Sequence, residues 1–257
     1  MLRAENISFK VGHKYLLHES SIEFEPGKFH VIMGANGAGK STLLKLLAGD
    51  QKPSSGKIDL FGKELNHYSK KELATKRAVL SQHYNITFPI SVNDIVLMGR
   101  YPYFSSNPAT NDLFICKKAM ELMDVLDLSE RDYNTLSGGE AQKVQMSRVL
   151  SQIWKAKAGA EKLLFLDEPV SHLDVKYQHQ LLKGAKNLCN EHTTVIAILH
   201  DINLSIAYAD RIIFMKQGRI VYDTTELSQI STEVIHDVFD VSSTILHPDN
   251  HKPVVIF

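Results

Sequence analysis

The sequence predicts an α/β protein with N-terminal antiparallel strands, a core of buried parallel strands and a helical subdomain inserted into that core. Residues 29–49 read as a buried strand, a glycine-rich loop and an apolar helix in direct succession. From about Tyr84 to Trp154 the apolar residues follow a helical period, and strand patterns are scarce. The later runs KLLFLD and TTVIAILH are continuous and apolar, which is typical of strands buried on both faces.

The N-terminal elements can be assigned in order along the chain. Residues 1–28 alternate apolar and polar positions around Gly12 and Pro26-Gly27, which predicts antiparallel strands joined by turns. Phe29–Met33 follows as a buried strand. After the glycine-rich loop, the apolar stripe of TLLKLLAG predicts a helix that ends at Gly49.

The remaining elements define the domain organisation. KKAMELMDVLDL and AQKVQMSRVLSQIW predict helices, and the small, lysine-rich segment KAKAGAEK predicts a linker. Residues 175–190 predict a helix between the two apolar strands, and Gln217-Gly218 predicts a hairpin turn. ISTEVIHDVFDV predicts a short helix before a tail without a clear pattern. The predicted divisions are a core of residues 1–84 and 160–225, a helical subdomain at 85–159 and a C-terminal extension at 226–257.

Composition excludes several classes of function. The 257 residues include 29 basic and 29 acidic side chains without large basic clusters, so we expect no nucleic-acid partner. Cys116 and Cys189 lack a CxxC spacing, which fits a reducing compartment and argues against zinc or structural disulfides. No run approaches the roughly 20 apolar residues of a membrane span. The N-terminus also has no apolar run after Arg3 of the kind that a secretory signal peptide would carry. We therefore expect a soluble chain unless a partner holds it at a membrane.

The loop GANGAGKS has the composition of a phosphate cradle. Its glycines let successive backbone N–H groups point inward, and the helix that follows adds its positive end. Lys40 would reach the β- and γ-phosphates of a nucleotide, and Ser41 would ligate magnesium. The alternative is an ordinary glycine-rich turn, which the strand before the loop and the helix after it disfavour. The candidate nucleotide-binding residues are Gly34, Asn36, Gly37, Ala38, Gly39, Lys40, Ser41 and Thr42.

Two carboxylates follow the apolar strand LLFL. Asp167 and Glu168 would lie at the carboxyl end of a buried strand, the edge at which open α/β sheets bind ligands. We expect Asp167 to complete a magnesium shell and Glu168 to accept a proton from an attacking water. The alternative is that Asp167 and Glu168 are ordinary acidic residues that face solvent where the strand ends.

His200 and Gln82 are two further candidate site residues. His200 ends the strand TTVIAIL and precedes Asp201, which is a suitable helix N-cap. We expect His200 to contact the γ-phosphate, although a histidine bonded to nearby backbone would have the same pattern. Gln82 ends AVLSQ and could bridge magnesium and water to the helical insertion.

The segment TLSGGEAQ raises a separate question. Ser137 and Glu140 fit the S-x-x-E capping box that begins many helices. A capping box leaves Gly138 and Gly139 unexplained, because each weakens a helix by about 1 kcal/mol relative to Ala. Bare backbone at a helix N-terminus indicates close approach by an anion. We expect this second cradle to serve the nucleotide of another copy of the chain.

Six features of the sequence resemble, in the same order, the motifs of ABC transporter nucleotide-binding subunits. They are GANGAGKST, Gln82, LSGGEAQ, LLFLDEP, SHLD and His200. The resemblance spans residues 1 to about 225 and implies a P-loop NTPase core that binds ATP and Mg²⁺ and hydrolyses ATP. Two copies of such subunits enclose two ATP molecules head to tail. Ser137, Gly138 and Gly139 would thus complete the partner copy's site. The family's adenine-stacking aromatic residue falls on Val11 here, which leaves Phe9 or Tyr15 as candidates.

Within that family, residues Phe88–Tyr103 are similar to a segment of importers for iron chelates, cobalamin and haem. Its apolar residues suit packing, and Arg100, Tyr101, Tyr103 and Phe104 would be anchors for a partner helix. The resemblance implies a homodimer, a membrane permease dimer contacted through about Phe88–Phe104, and a periplasmic or surface substrate-binding protein. It also implies a peripheral position on the cytoplasmic face of the bacterial inner membrane.

The linker and the ending ILHPDNHKPVVIF are most similar to haemin-import ATPases, so haem is the expected cargo. A ferric siderophore or cobalamin remains the alternative, and a soluble ABC ATPase or a P-loop kinase is a more distant one. His247 and His251 are four residues apart, but Pro248 between them disfavours the helix that would place both on one face. We therefore expect no direct haem or metal ligation by this chain.

Overall fold

A computed structural model describes residues 1–82, 86–154, 160–171, 173–190, 192–248 and 252–257. The strands are β1 (Leu2–Val11), β2 (Lys14–Phe24), β3 (Phe29–Met33), β4 (Ser55–Leu60), β5 (Lys63–Glu64), β6 (Arg77–Leu80), β7 (Lys162–Asp167), β8 (Thr193–Ile198), β9 (Arg211–Lys216), β10 (Arg219–Thr224), β11 (Thr244–Leu246) and β12 (Val254–Ile256). The α-helices are α1 (Lys40–Ala48), α2 (Lys70–Lys76), α3 (Val92–Met98), α4 (Thr110–Leu122), α5 (Gly138–Ile153), α6 (Val175–Leu188), α7 (Ile202–Tyr208) and α8 (Thr232–Phe239). No helix among these residues is long and apolar enough to cross a bilayer.

The chain divides into two compact units. The first unit joins Met1–Tyr68 to Lys183–Phe257, and the second unit is Ser69–Leu182. The predicted helical subdomain falls within the second unit, which also includes elements on either side of it. Residues 84, 85 and 159, at the predicted boundaries, lie outside the described residues, so those boundaries stay predictions.

An antiparallel sheet in the order β2-β1-β4-β5 belongs to the first unit. β1 and β2 pair from Leu2 opposite Phe24 to Val11 opposite Lys14, on either side of the turn at Gly12. This pairing confirms the antiparallel strands predicted for residues 1–28. Leu2 and Ala4 of β1 are buried in alternation, and a register shift between Ala4 and Ile7 then returns Ile7 to the buried side, as expected for a sheet with one face on the core.

Parallel strands form the centre of the first unit. β3 lies between β8 and β9, and β9 continues into the antiparallel partner β10. All five residues of β3 are buried, as are the last five residues of β8. Strands covered on both faces read as continuous apolar runs, which explains why both were predictable from sequence. Ile32 pairs with Ile198, so the chain leaves β3 and β8 at the same edge.

Two parallel strands and a group of helices form the second unit. β6 pairs with β7 from Arg77 opposite Leu163 to Leu80 opposite Leu166. The helices α3, α4 and α5 share a core whose buried residues include Val92, Ile95, Val96, Ala119, Met120, Val144 and Val149. The helical character predicted for the described part of this region is confirmed.

Arg100 is a correction to the sequence-based prediction. It was expected as a surface anchor, but its side chain is 3% exposed and its Nε lies 2.9 Å from Asp112 Oδ1. Arg100 Nη1 also donates to the carbonyl of Ser151 at 2.8 Å, and the guanidinium lies 3.8 Å from the Tyr103 ring centroid. A charge removed from water is stable only with such partners, so Arg100 ties the end of α3 to α4 and α5.

Several elements were not predicted by sequence patterns. They are β4, β5, α2, β6 and the C-terminal hairpin of β11 and β12. Most of these are short, and short polar segments carry weak periodicity. Part of the predicted linker, residues 155–159, lies outside the described residues.

Candidate active site

The glycine-rich loop joins β3 to α1, as predicted. Gly34, Gly37 and Gly39 have φ values of 149°, 79° and 97°, which other residues rarely adopt. Gly39 is the N-cap of α1 and provides no side chain to bond the first-turn N–H groups. The N-terminus of α1 can therefore offer backbone donors and its positive end to an anion.

Lys40 is folded over this loop. Its side chain is buried, and its Nζ donates to the carbonyls of Gly34 at 2.8 Å and Ala35 at 3.0 Å. The ammonium thus lies against the curl of the loop, where it adds a full positive charge to the backbone dipoles. Such an arrangement attracts the phosphates of a nucleotide more strongly than either feature alone.

Two of the loop glycines have a packing role that the sequence did not indicate. A Cβ on Gly34 would lie 2.2 Å from the carbonyl oxygen of Met215, and one on Gly39 would lie 2.6 Å from that of Leu16. The N–H of Gly218 donates to the carbonyl of Ala38 at 2.9 Å. The loop is therefore packed closely against β2, the end of β9 and the turn between β9 and β10.

His200 lies at the same edge of the first unit as the loop. Because Ile32 pairs with Ile198 in parallel register, Gly34 and His200 are each two residues beyond paired positions. His200 is exposed, and the carboxylate of Asp201 caps α7 by accepting from the N–H of Leu204 at 2.9 Å. The N-cap predicted at Asp201 is confirmed.

In the second unit, parallel register brings Gln82 to Glu168. Leu80 pairs with Leu166, and two residues later Gln82 Nε2 donates to Glu168 Oε2 at 2.7 Å. Asp167 is the buried last residue of β7. Glu168 has a φ of 51°, a left-handed backbone conformation that is uncommon for residues other than glycine and that recurs at active sites.

Gln142 is a supporting residue that sequence reasoning missed. Its Nε2 donates to the carbonyl of Pro169 at 2.8 Å, so α5 holds the turn that carries Glu168. The signal was the glutamine itself, which lies in TLSGGEAQ one helical turn beyond the glycines, but nothing in the sequence named its partner.

The TLSGGEAQ segment begins α5 with the capping box predicted for Ser137 and Glu140. The N–H of Glu140 donates to Ser137 Oγ at 3.3 Å, and the N–H of Ser137 donates to Glu140 Oε2 at 2.8 Å. That backbone donor, the Ser137 hydroxyl and Arg131 lower the pKa of Glu140. Gly138 and Gly139 occupy the first turn, and Ser137 and Gly138 are exposed. Bare backbone is thus accessible at this helix end.

The residues considered for adenine stacking differ in exposure. Val11 is 60% exposed, and Tyr15 is 45% exposed and stacked on His18 with ring centroids 5.1 Å apart. Phe9 is half-buried. Both aromatic candidates therefore stay open.

Within the predicted partner-binding segment, exposure is uneven. Phe88 and Tyr101 are 56% and 54% exposed, and Phe104 packs edge-on against Tyr101. Val92, Ile95 and Val96 are core residues, which agrees with the packing role predicted for the apolar residues of this segment. Tyr103 is half-buried and donates to the carbonyl of Gln152 at 2.7 Å. Phe104 is half-buried like Tyr103, so the exposed aromatic anchors within Phe88–Phe104 are Phe88 and Tyr101.

In the described part of the chain, no group of three or more His, Cys, Asp and Glu side chains is arranged to hold a metal ion. His83, His172 and His251 lie outside the described residues.

The chain matches known proteins in sequence and in structure. The model of the family described as ABC transporter matches residues 17–171. The hemin import ATP-binding protein HmuV of Gloeobacter violaceus is 39% identical over 257 residues, which cover 100% of this chain and 94% of that protein.

Solved structures share the fold. A protein described as a metal-chelate type ABC transporter in an inward-facing conformation superposes with a TM-score of 0.80 at 25% identity, covering 99% of this chain and 96% of that chain. The ATP-binding cassette MJ0796, solved as a dimer bound to ADP and Pi, has a TM-score of 0.76 at 24% identity, covering 87% and 98%.

The two kinds of loop glycine predict different costs of substitution. Gly34→Ala combines a forbidden φ with a backbone clash, so we expect it to lower the free energy of unfolding by at least about 3 kcal/mol. Gly37→Ala meets no atom within 4 Å and should cost only about 1–2 kcal/mol for its left-handed backbone. Urea unfolding without nucleotide measures both values, and equal losses would contradict the packing role of Gly34.

Proposed function

Because the chain belongs to the ABC transporter family, we propose that it is the ATP-hydrolysing subunit of a bacterial importer whose cargo is haem. The observation that carries this proposal is the similarity over the whole chain to a hemin import ATP-binding protein. The glycine loop supports it chemically, since the ammonium of Lys40 lies against that loop beside uncapped helix N–H groups. The subunit would act at the cytoplasmic face of the inner membrane, held there by its permease.

The proposed nucleotide site uses the loop residues for binding. Backbone groups from Gly34 to Thr42 would surround the phosphates, and Lys40 would neutralise the β- and γ-phosphates. The hydroxyl of Ser41, the carboxylate of Asp167 and the amide of Gln82 are oxygen donors, the ligand type that Mg²⁺ prefers. When bound, Mg²⁺ would screen the charge that develops on the phosphates.

Hydrolysis would depend on Glu168, Gln82 and His200. Glu168 would accept the proton of the attacking water through its carboxylate, a contribution of roughly 10² to 10⁴ in rate. The hydrogen bond from Gln82 supports this role, because it fixes one carboxylate oxygen and so orients the other. His200 would donate to the γ-phosphate from the edge where the glycine loop begins.

A second copy of the chain would complete each site. The exposed Ser137 and the glycines at the start of α5 would approach the γ-phosphate bound by the other copy. The dimeric state of the MJ0796 cassette supports this arrangement. The dimer would close on binding ATP and open after hydrolysis. This motion would be transmitted to a permease dimer through the accessible aromatic residues of Phe88–Phe104. A substrate-binding protein would deliver the cargo to the permease.

A metal-chelate importer is a second candidate function. The structural similarity to a protein described as a metal-chelate type ABC transporter favours it. Both candidates share the same ATP chemistry and differ only in what the permease carries.

Replacement of the proposed general base separates binding from hydrolysis. Glu168→Gln keeps an oxygen that can accept from Gln82 but cannot take up a proton, so ATP should bind while turnover falls by at least roughly 10²-fold. The variant should accumulate as a closed dimer in size-exclusion chromatography with ATP. Glu121→Gln makes the same change at an exposed glutamate on α4 and is the matched control, which should hydrolyse ATP normally. Normal hydrolysis by Glu168→Gln would remove Glu168 from this role.

Mixed dimers test whether the site is shared between copies. Ser137→Arg should abolish hydrolysis, because the long side chain blocks the start of α5, and Lys40→Ala should do so by weakening phosphate binding. A dimer of one copy of each retains one intact composite site and should recover part of the rate. Ser69→Arg, at the exposed capping box of α2, is the control for arginine at a helix N-cap. If mixing restores nothing, the shared site is wrong.

The cargo is tested by reconstitution with the permease and substrate-binding protein in liposomes. We expect haem to stimulate ATP turnover several-fold more than a ferric siderophore or cobalamin does. Glu168→Gln in the same liposomes gives the background. Stimulation by a ferric siderophore alone would establish the metal-chelate alternative.

A further inference from the structure

The C-terminal hairpin of β11 and β12 belongs to the first unit and has no role in the proposed function. Its strands pair in antiparallel register, with Ile245 opposite Val255. Val255 is 3% exposed, while its neighbours Val254 and Ile256 point to solvent. One face of β12 is therefore packed against the rest of the unit, and the contact it makes there is with α7.

The helix α7 begins two residues after His200. Asp201 is its N-cap, and Ile202–Tyr208 comprises only 7 residues. A helix this short is unstable in isolation, so its position must be set by the groups that bind it. Any shift of its first turn would move His200, which is two residues before the first helical residue.

Asn203 binds β12 to the first turn of α7. Its Nδ2 donates to the carbonyl of Val255 at 2.9 Å, and its Oδ1 accepts from the N–H of Val255 at 2.9 Å. The side-chain amide thereby pairs with the strand as a neighbouring strand would. Asparagine is a poor helix former, so its place inside a two-turn helix is consistent with this bonding role.

Lys252 binds the other end of the same helix. Its Nζ donates to the carbonyls of Ile206 at 2.8 Å and Ala207 at 3.1 Å, and it lies 3.5 Å from that of Ala209. These are carbonyls of the last turn, which lack partners within the helix and carry its negative end. The C-terminal residues thus contact both ends of α7.

We infer that residues 252–257 form a brace that fixes α7 and, through its first turn, positions His200 for ATP hydrolysis. Asn203 and Lys252 are then positioning residues, which affect the reaction without contacting nucleotide. The inference rests on the proposed role of His200. It differs from a purely structural role for the tail, because it predicts that the effect of the brace disappears when His200 is absent.

The test uses Asn203→Ala in the purified full-length chain. We expect kcat for Mg-ATP to fall roughly tenfold, since small misplacements of a reacting group have effects of this size. KM for ATP should stay within about twofold, because the loop that binds the phosphates is unchanged. In a His200→Ala background, Asn203→Ala should cause no further loss of kcat.

Lys252→Met and removal of residues 252–257 provide independent variants, with the same expected fall in kcat and the same loss of effect in the His200→Ala background. Val254→Thr, on the outward side of the same strand, is the matched control and should retain wild-type kcat. If the truncated chain fails to fold, as judged by circular dichroism, the two point variants decide the question.

The outcomes separate this inference from the proposed function. An unchanged kcat in Asn203→Ala and Lys252→Met, or an equal fall with and without His200, would overturn the brace. If His200→Ala itself hydrolyses ATP at the wild-type rate, the proposed role of His200 fails first, and the brace fails with it.

Discussion

Parallel strand register is the constraint on which both groups of site residues depend. In the first unit, Ile32 opposite Ile198 places the glycine loop and His200 at one edge. In the second unit, Leu80 opposite Leu166 places Gln82 within hydrogen-bonding distance of Glu168. Residues more than 80 positions apart in the chain meet because each lies two residues beyond a paired strand position. A shift of one residue in either register would turn these side chains to the opposite face.

The N-termini of α1 and α5 are capped in different ways. Gly39 leaves the first turn of α1 without a side-chain cap, so a bound phosphate can take those donors. At α5, Ser137 and Glu140 satisfy each other's backbone N–H groups, which keeps the helix start ordered while it is exposed. A pre-ordered end would suit the reversible contact with a second copy that is proposed above, because little conformational entropy would be lost on contact.

Sequence patterns predicted the strongly periodic elements and the residues whose chemistry depends on neighbours in the chain. β3, α1 and the capping box of α5 are of this kind. Patterns failed where a partner is distant in sequence: the pairing of Arg100 with Asp112 depends on how α3 and α4 pack, and the clash at Gly34 comes from Met215. The C-terminal hairpin was missed because each strand has only three residues and gains its stability from α7 rather than from its own periodicity.

The turn that carries Glu168 links α5 to the proposed base. A left-handed glutamate persists only when its surroundings hold it, and here Gln82 binds its carboxylate while Gln142 binds the next residue's carbonyl. Gln142 lies on α5, one turn beyond the exposed N-terminus that would contact the other copy's nucleotide. A displacement of α5 on dimer closure would therefore be transmitted to Pro169 and Glu168 through the hydrogen bond from Gln142. In the proposed dimer, occupancy of one ATP site would thus affect the geometry of the base that serves the other.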